Sequence, residues 1–287
     1  MKAFTIPSYA KLNLSLTILG RRSDGFHELE TLFERIDLHD DLTFASAPNG
    51  VIKISCDDKR VPCDGRNLVY KVAAMLMDGE KIKKGVSISI KKRIPVAAGL
   101  AGGSSNAATA LLGLNKLWDL GLSRQKLVAY AAKIGSDVAF FLYDAPFALG
   151  TGRGEIVKPL DIKARLWHFL VVPKAPVLTK DVYGCYAAMN AGLTKRGGDD
   201  TIIRSLKQND PVAVGKVLSN DLAAPILKLK PHLGKLKARV GRQNILGVAF
   251  SGSGPSVYAV VASEKEALRI KKVFSRTYSQ VFAVRTF

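Results

Sequence analysis

Residues 95–108 read PVAAGLAGGSSNAA, and the reading of this stretch decides the fold. It holds three glycines (Gly99, Gly102, Gly103), two serines (Ser104, Ser105) and no charge. An alternating run, GVSISI (85–90), and the basic cluster Lys91-Lys92-Arg93 precede it; an apolar-periodic run from Asn106 to Trp118 follows. Strand, glycine-rich turn and helix start is an order that holds phosphate. Small residues let the backbone come close, and the first N–H groups of a helix have no partner within it. Ser104 and Ser105 would add hydroxyl donors or hold a magnesium ion. A tight turn filled with small residues for packing fits the same letters. No Gly-Lys-Ser/Thr follows, which excludes a Walker P-loop, and the absence of G-x-G-x-x-G excludes the dinucleotide fingerprint.

The 287 residues allow about two domains. With 47% hydrophobic and 23% charged residues, the composition is that of a globular protein with a core. The net charge of +19 attracts polyanions, whether nucleic acid, anionic membrane or phosphate-rich substrates. The basic residues are spread out, with small clusters at Lys83-Lys84, Lys91–Arg93 and Lys228–Lys237, so a solvated positive surface fits better than a nucleic-acid stripe. The three cysteines (Cys56, Cys63, Cys185) are odd in number and have no zinc-like spacing, which predicts a reducing, cytoplasmic setting. The opening MKAFTIPSYAKLNLSLTILGRR has no uninterrupted apolar core and no small-residue cleavage site. Neither a signal peptide nor a membrane span is expected.

In KLNLSLTILG (11–20), Leu12, Leu14, Leu16 and Ile18 share one face, and Lys11, Asn13, Ser15 and Thr17 share the other. The alternation predicts a strand with Lys11 and Asn13 side by side, away from the core. Asp24-Gly25 predicts a turn, followed by the aromatic–imidazole pair Phe26-His27. That pair reads either as a plain hairpin or as a stacking platform. A β-rich stretch to about residue 61 precedes a helix over 65–79, capped by Asn67 and burying Val69, Val72, Ala73 and Leu76. The helix after the glycine loop carries Ala107, Leu111, Leu114 and Trp118; another starts at Ser123 and ends at Gly135. Asp137 lies between that end and the apolar run Val138–Leu142, in the place of a cap, a turn residue or a functional acid. GTGRGE (150–155) is a second glycine-dense turn.

From about residue 156 the pattern resets. LWHFLVVP (166–173) predicts a buried strand, and helices are expected near 180–190, 201–207, 211–218 and 231–240. NILGVAF (244–250) and SVYAVVA (256–262) read as strands joined through SGSGPS. A capping box at Ser263 and Glu266 starts a last helix, and a final strand is expected near Val281–Thr286. The class is α+β, with domains at 1–155 and 156–287.

Several of these blocks are similar to a known family. PVAAGLAGGSSNAA resembles the second motif, P-x-x-x-G-L-x-G-G-S-S, of the GHMP kinases, and SGSGPS near 251 resembles their C-terminal glycine motif. AKLNLSLTILGRRSDGFHELETLF (10–33), NLVYKVAA (67–74), GSDVAFF (135–141), GTGRGE (150–155) and NDL (220–222) resemble one branch of it, which phosphorylates a cytidyl-diphospho-methylerythritol in the non-mevalonate route to isoprenoids. The matches occur in order from residue 7 to about 260.

The resemblance implies a two-domain GHMP kinase fold, with an N-terminal domain like the second domain of ribosomal protein S5 and a ferredoxin-like C-terminal domain. It implies transfer of the γ-phosphoryl of ATP, with Mg2+, to the tertiary 2-hydroxyl of the methylerythritol unit. Asp137 matches the catalytic aspartate and Lys11 the catalytic lysine. Residues Pro95, Val96, Ala97, Ala98, Gly99, Leu100, Ala101, Gly102, Gly103, Ser104 and Ser105 would wrap the ATP phosphates, with Asn67 and Lys92 near the nucleoside. Asn13, Phe26, His27 and Tyr183 would bind the cytidyl substrate. No nucleic-acid or membrane partner is implied, and a monomer or weak homodimer is expected. Phe26 stands where the family commonly has Tyr, and Tyr9 where Pro is frequent. Ala97, Ala98 and Ala101 replace glycines, which requires those backbones to avoid positive φ. Ala223 follows NDL where an acid is usual, so that segment receives no catalytic role. The competing readings are another small-molecule GHMP kinase and a basic nucleic-acid-binding module.

Overall fold

A computed structural model of the chain describes residues 3–189 and 198–287, and the chain divides into two units. The first comprises residues up to Ala10, Leu38–Val96 and Ala101–Asp144; the second comprises Lys11–Asp37, Ala97–Leu100 and Ala145–Phe287.

Two long strands, β1 (Phe4–Arg21) and β2 (His27–Ala47), contribute to both units. In the first unit, β3 (Ile52–Cys56) leads through helix α1 (Leu68–Gly79) to β4 (Gly85–Lys91). Strands β3 and β4 pair in parallel, which needs such a crossover, and β4 pairs antiparallel with the far half of β2, Phe44 opposite Ile88. Helices α2 (Gly102–Leu117) and α3 (Arg124–Ile134) follow, then a 3-10 helix at Ser136–Leu142. Asn67 caps α1 and Ser123 caps α3, and the four predicted core residues of α1 are all buried. Helix α2 comes close to β2 at Gly113, where a Cβ would lie 2.3 Å from the Phe44 ring.

In the second unit the near half of β2 pairs with β5 (Phe147–Thr151), which pairs with β6 (Ile156–Leu160). Beyond these come β7 (Trp167–Val171), α4 (Thr179–Ala188), α5 (Gly198–Lys207), α6 (Pro211–Lys216), α7 (Ala223–Leu229) and α8 (His232–Gly241). The chain ends with β8 (Gly247–Phe250), β9 (Val257–Val261), α9 (Glu264–Phe274) and β10 (Val281–Arg285). The last four strands in space run β10-β7-β9-β8, all antiparallel. Numbered within that sheet the order is 4-1-3-2, the ferredoxin-like arrangement expected. Phe169, Val257, Ala259, Ile270 and Phe274 form its core. Ser263 Oγ accepts from Glu266 N as the capping box requires, while Arg269 takes the Glu266 carboxylate at 2.6 Å.

The strands at β5 and β6 and the helix α7 are additions to the sequence reading. One expectation is corrected. The polar face of β1 does not point away from the core: Lys11, Asn13, Ser15 and Thr17 are as buried as the leucines beside them. The alternation separates an apolar interior from a polar one.

Candidate active site

Lys11 opens the part of β1 that belongs to the second unit. Its Nζ donates to Asn13 Oδ1 at 2.6 Å and sits 5.2 Å from the centre of the Phe33 ring. Asn13 Nδ2 donates to Thr31 Oγ1 at 2.8 Å, and that hydroxyl donates to the Ser15 carbonyl at 2.6 Å. Tyr258 Oη donates to the Asn13 carbonyl at 2.7 Å. Burial, and then the charge of Glu34, raise the Tyr258 pKa well above the ordinary tyrosine value, so its hydroxyl stays a donor. This chain of donors holds one cation and one amide in a dry, rigid place. Thr31 and Tyr258 carry no motif, and the sequence reading did not single them out.

The SGSGPS turn belongs to the same unit. A Cβ on Gly252 would stand 3.3 Å from Asn13 Oδ1 and 3.7 Å from Lys11 Nζ. Asn220 Nδ2 donates to the carbonyls of Phe250 (2.9 Å) and Gly252 (2.8 Å), fixing that turn. Asp221 accepts from Ile18 N at 2.8 Å. Asn220 and Asp221 thereby brace this turn and β1. Gly99 lies against the turn with φ +75°, where a Cβ would be 2.3 Å from the Ser251 carbonyl oxygen. Ser251 Oγ donates to the Gly99 carbonyl at 2.9 Å, and Ser256 Oγ donates to that of Ala98. The backbone at Ala97–Leu100 is thus set by hydroxyls from the far end of the chain.

In the first unit α2 begins directly at Gly102. Its cap residue Ala101 is left-handed and offers no side-chain acceptor, and the first turn carries no acid. The helices on either side, α1 and α3, are closed by Asn67 and Ser123. The first N–H groups of α2 have no capping side chain, and a helix start of this kind can accept an anion. Gly103 is exposed and Ser104 half-buried, whereas Ser105 is buried with its hydroxyl 2.8 Å from Ser8 Oγ. Pro95 is buried and Val96 half-buried just ahead of the loop. The condition on the alanines is not met: Ala97 and Ala101 both adopt φ 54°. Only Ala98 avoids positive φ, so the loop keeps the glycine-like backbone path without glycine at two of its turns. Asn67 uses both ends of its amide, accepting from Val69 N at 2.9 Å and donating to the Pro62 carbonyl at 2.6 Å. Lys92 Nζ lies 3.3 Å from where a Cβ on Gly102 would be and pairs with Asp40. Asp137 is half-buried in the first turn of the 3-10 helix, presented by the apolar run that anchors its neighbours.

Phe26 is 53% exposed, with the Arg153 guanidinium 4.7 Å from its ring centre. The His27 ring stacks on Tyr183 at 5.2 Å and meets the edge of Tyr186 at 5.9 Å. Burial lowers the His27 pKa below the ordinary 6.5, with a smaller push from Arg21. The imidazole is therefore neutral at neutral pH, able to donate from one nitrogen and accept at the other. Among the described residues no three His, Cys, Asp or Glu side chains gather where they could hold a metal ion, and the three cysteines are free. No helix among the described residues is long and apolar enough to cross a membrane.

Residues 67–145 match the GHMP kinases N terminal domain and residues 202–280 the GHMP kinases C terminal domain. The chain is 40% identical over 282 residues to the 4-diphosphocytidyl-2-C-methyl-D-erythritol kinase of Shouchella clausii (strain KSM-K16), covering 98% of this chain and 94% of that protein. A solved 4-(cytidine 5'-diphospho)-2C-methyl-D-erythritol kinase superposes with a TM-score of 0.84 at 30% identity, covering 99% of this chain and all of the other. Homoserine kinase from Cytophaga hutchinsonii shares the fold at a TM-score of 0.78 and 21% identity, over 100% of this chain and 95% of that one. Matches to both GHMP kinase domain types, with near-full-length similarity to a named relative and a solved structure, lead to one assignment: the chain belongs to the 4-diphosphocytidyl-2-C-methyl-D-erythritol kinases, within the GHMP kinases.

Proposed function

We propose that this protein transfers the γ-phosphoryl group of ATP to the 2-hydroxyl of 4-(cytidine 5'-diphospho)-2-C-methyl-D-erythritol, a step of non-mevalonate isoprenoid precursor synthesis. The observation that carries the reading is the 40% identity maintained over 98% of the chain.

In this reading Asp137 accepts the proton of the tertiary hydroxyl as its oxygen attacks the γ-phosphorus and the bond to the β-bridging oxygen breaks, releasing ADP. General-base help is worth ~10²–10⁴-fold, and positioning supplies much of the rest. Lys11, buried and oriented by Asn13, neutralises charge gathering on the transferred group. The first N–H groups of α2 and the backbone of 95–105 hold the phosphates, with Asn67 and Lys92 toward the nucleoside. The neutral His27 reads the polar edge of cytosine, while Phe26 and Tyr183 stack on its faces, and Asn13 holds the substrate.

Mg2+, when bound, offsets phosphate charge. Ser104, on the first turn of α2, is the side chain we assign to it. Residues 1–155 carry the ATP and catalytic role and 156–287 the C-terminal role. The protein acts in the cytoplasm as a monomer or weak homodimer.

Phosphorus NMR of the product tests the reaction. A phosphate ester on the tertiary carbon shows no three-bond coupling to hydrogen, since that carbon bears none. A new signal split by a P–O–C–H coupling would place the phosphate on another hydroxyl and overturn the assignment.

A further inference from the structure

We propose that Asp40 is a positioning residue for the bound nucleotide: it sets the Lys92 ammonium and ties together the two flanks of the glycine-rich loop. The proposal rests on reading that loop as the ATP site.

Asp40 lies in β2, completely buried. Its Oδ1 accepts from the backbone N–H groups of Arg93 (2.7 Å) and Ile94 (2.8 Å). Its Oδ2 accepts from Asn106 Nδ2 at 2.9 Å and from Lys92 Nζ. A buried carboxylate is tolerated only when matched in this way, and here all four of its lone-pair positions are used. Arg93 and Ile94 stand immediately before Pro95, and Asn106 immediately after Ser105. One rigid group thus grips the chain on either side of residues 95–105. The other proton of the Asn106 amide goes to Ser8 Oγ at 2.9 Å, which bonds Ser105 Oγ at 2.8 Å, so the first turn of α2 is held as well.

Lys92 gives the arrangement a direction. Its ammonium sits against Gly102, the first residue of the uncapped helix. The bond to Asp40 uses one of its three donors. A pair made only for stability has no need to stand at the one helix start among this unit's described residues that lacks both a capping side chain and an acid. Beside an anion site, the carboxylate orients a cation and a loop at once, and misplacement of such groups by about 1 Å can cost ~100-fold.

The test is Asp40→Asn in the full chain. Whichever way the new amide turns, it aims a donor at donors. The expected result is a rise of ~10–100-fold in the KM for ATP, with the KM for the cytidyl alcohol within about twofold of wild type. Lys92→Gln should reproduce part of that rise, and the double variant should fall well short of the product of the two singles, because one device is broken twice. A fully multiplicative double variant, or equal rises in both KM values, would overturn the assignment. If Asp40→Asn does not fold, Asn106→Ala keeps the Asp40–Lys92 pair and loosens one flank. It should raise the KM for ATP several-fold and leave that for the alcohol alone; an unchanged KM for ATP overturns the proposal. Thermal stabilisation by ATP separates the two levels. If ATP fails to stabilise the wild-type protein, the ATP reading of the loop falls and this proposal with it. If ATP stabilises wild type and both variants equally, only the role of Asp40 falls.

Discussion

Asp137 and Phe26 are where single side chains have separable jobs. Asp137 belongs to a 3-10 turn whose neighbours Val138–Leu142 are buried, so shortening its side chain leaves the anchoring residues untouched. Asp137→Ala is expected to lower kcat by ~10²–10⁴-fold and leave ATP affinity within about twofold, as measured by steady-state kinetics beside ATP titration. Near-normal kcat would remove it from the base role. Phe26 is exposed and touched by Arg153, so its removal disturbs no core. Loss of a base–aromatic stack is worth ~1–3 kcal/mol, and Phe26→Ala should raise the KM for the cytidyl alcohol by ~10-fold or more while sparing that for ATP. Equal changes in both would argue against a cytosine platform. At this scale the sequence was legible where a residue sits inside a motif. Lys11, Asp137 and His27 could be singled out as candidates that way. Asp40 could not, because its partners Lys92 and Asn106 lie 52 and 66 positions along the chain and no local pattern sets it apart from Asp37 and Asp41 in the same strand.

The glycine-rich turn shows what an element demands of its letters. Gly99 combines positive φ with backbone oxygen only 2.3 Å from any added Cβ, a contact that no side-chain motion relieves. Gly99→Ala should lower unfolding stability by about 2–3 kcal/mol and weaken ATP binding. Ala97 and Ala101 already carry the left-handed strain, so changing either to Gly should leave stability level or raise it by up to about 1 kcal/mol. Denaturant unfolding of the three variants checks both signs; a Gly99→Ala protein as stable as wild type would contradict the close approach to Ser251. Helices α1, α3 and α9 could be read in advance because cap and periodicity lie within a few residues of each other. Helix α7 could not: it is seven residues long and carries Pro225. Strand β6 is short, mostly exposed and contains Pro159, so it lacks the buried alternation that marks a strand.

At the scale of the molecule, the class α+β followed from the mixture of periods in the chain, and the 4-1-3-2 order of the last sheet did not. Strand order depends on pairings such as Val171 with both Val257 and Val281, which no local pattern encodes. The family resemblance supplied it. The +19 charge suits a protein whose two substrates both carry phosphates, because a positive field gathers anions before any contact forms. The account as a whole makes one central claim, that the protein phosphorylates a cytidyl alcohol and not another alcohol handled on the same fold. ADP release by the purified protein, supplied with ATP and in turn with the cytidyl alcohol, mevalonate and homoserine, tests it most directly. We predict a kcat/KM for the cytidyl alcohol at least ~100-fold above the other two; comparable turnover of mevalonate or homoserine, or none of the cytidyl alcohol, would contradict it.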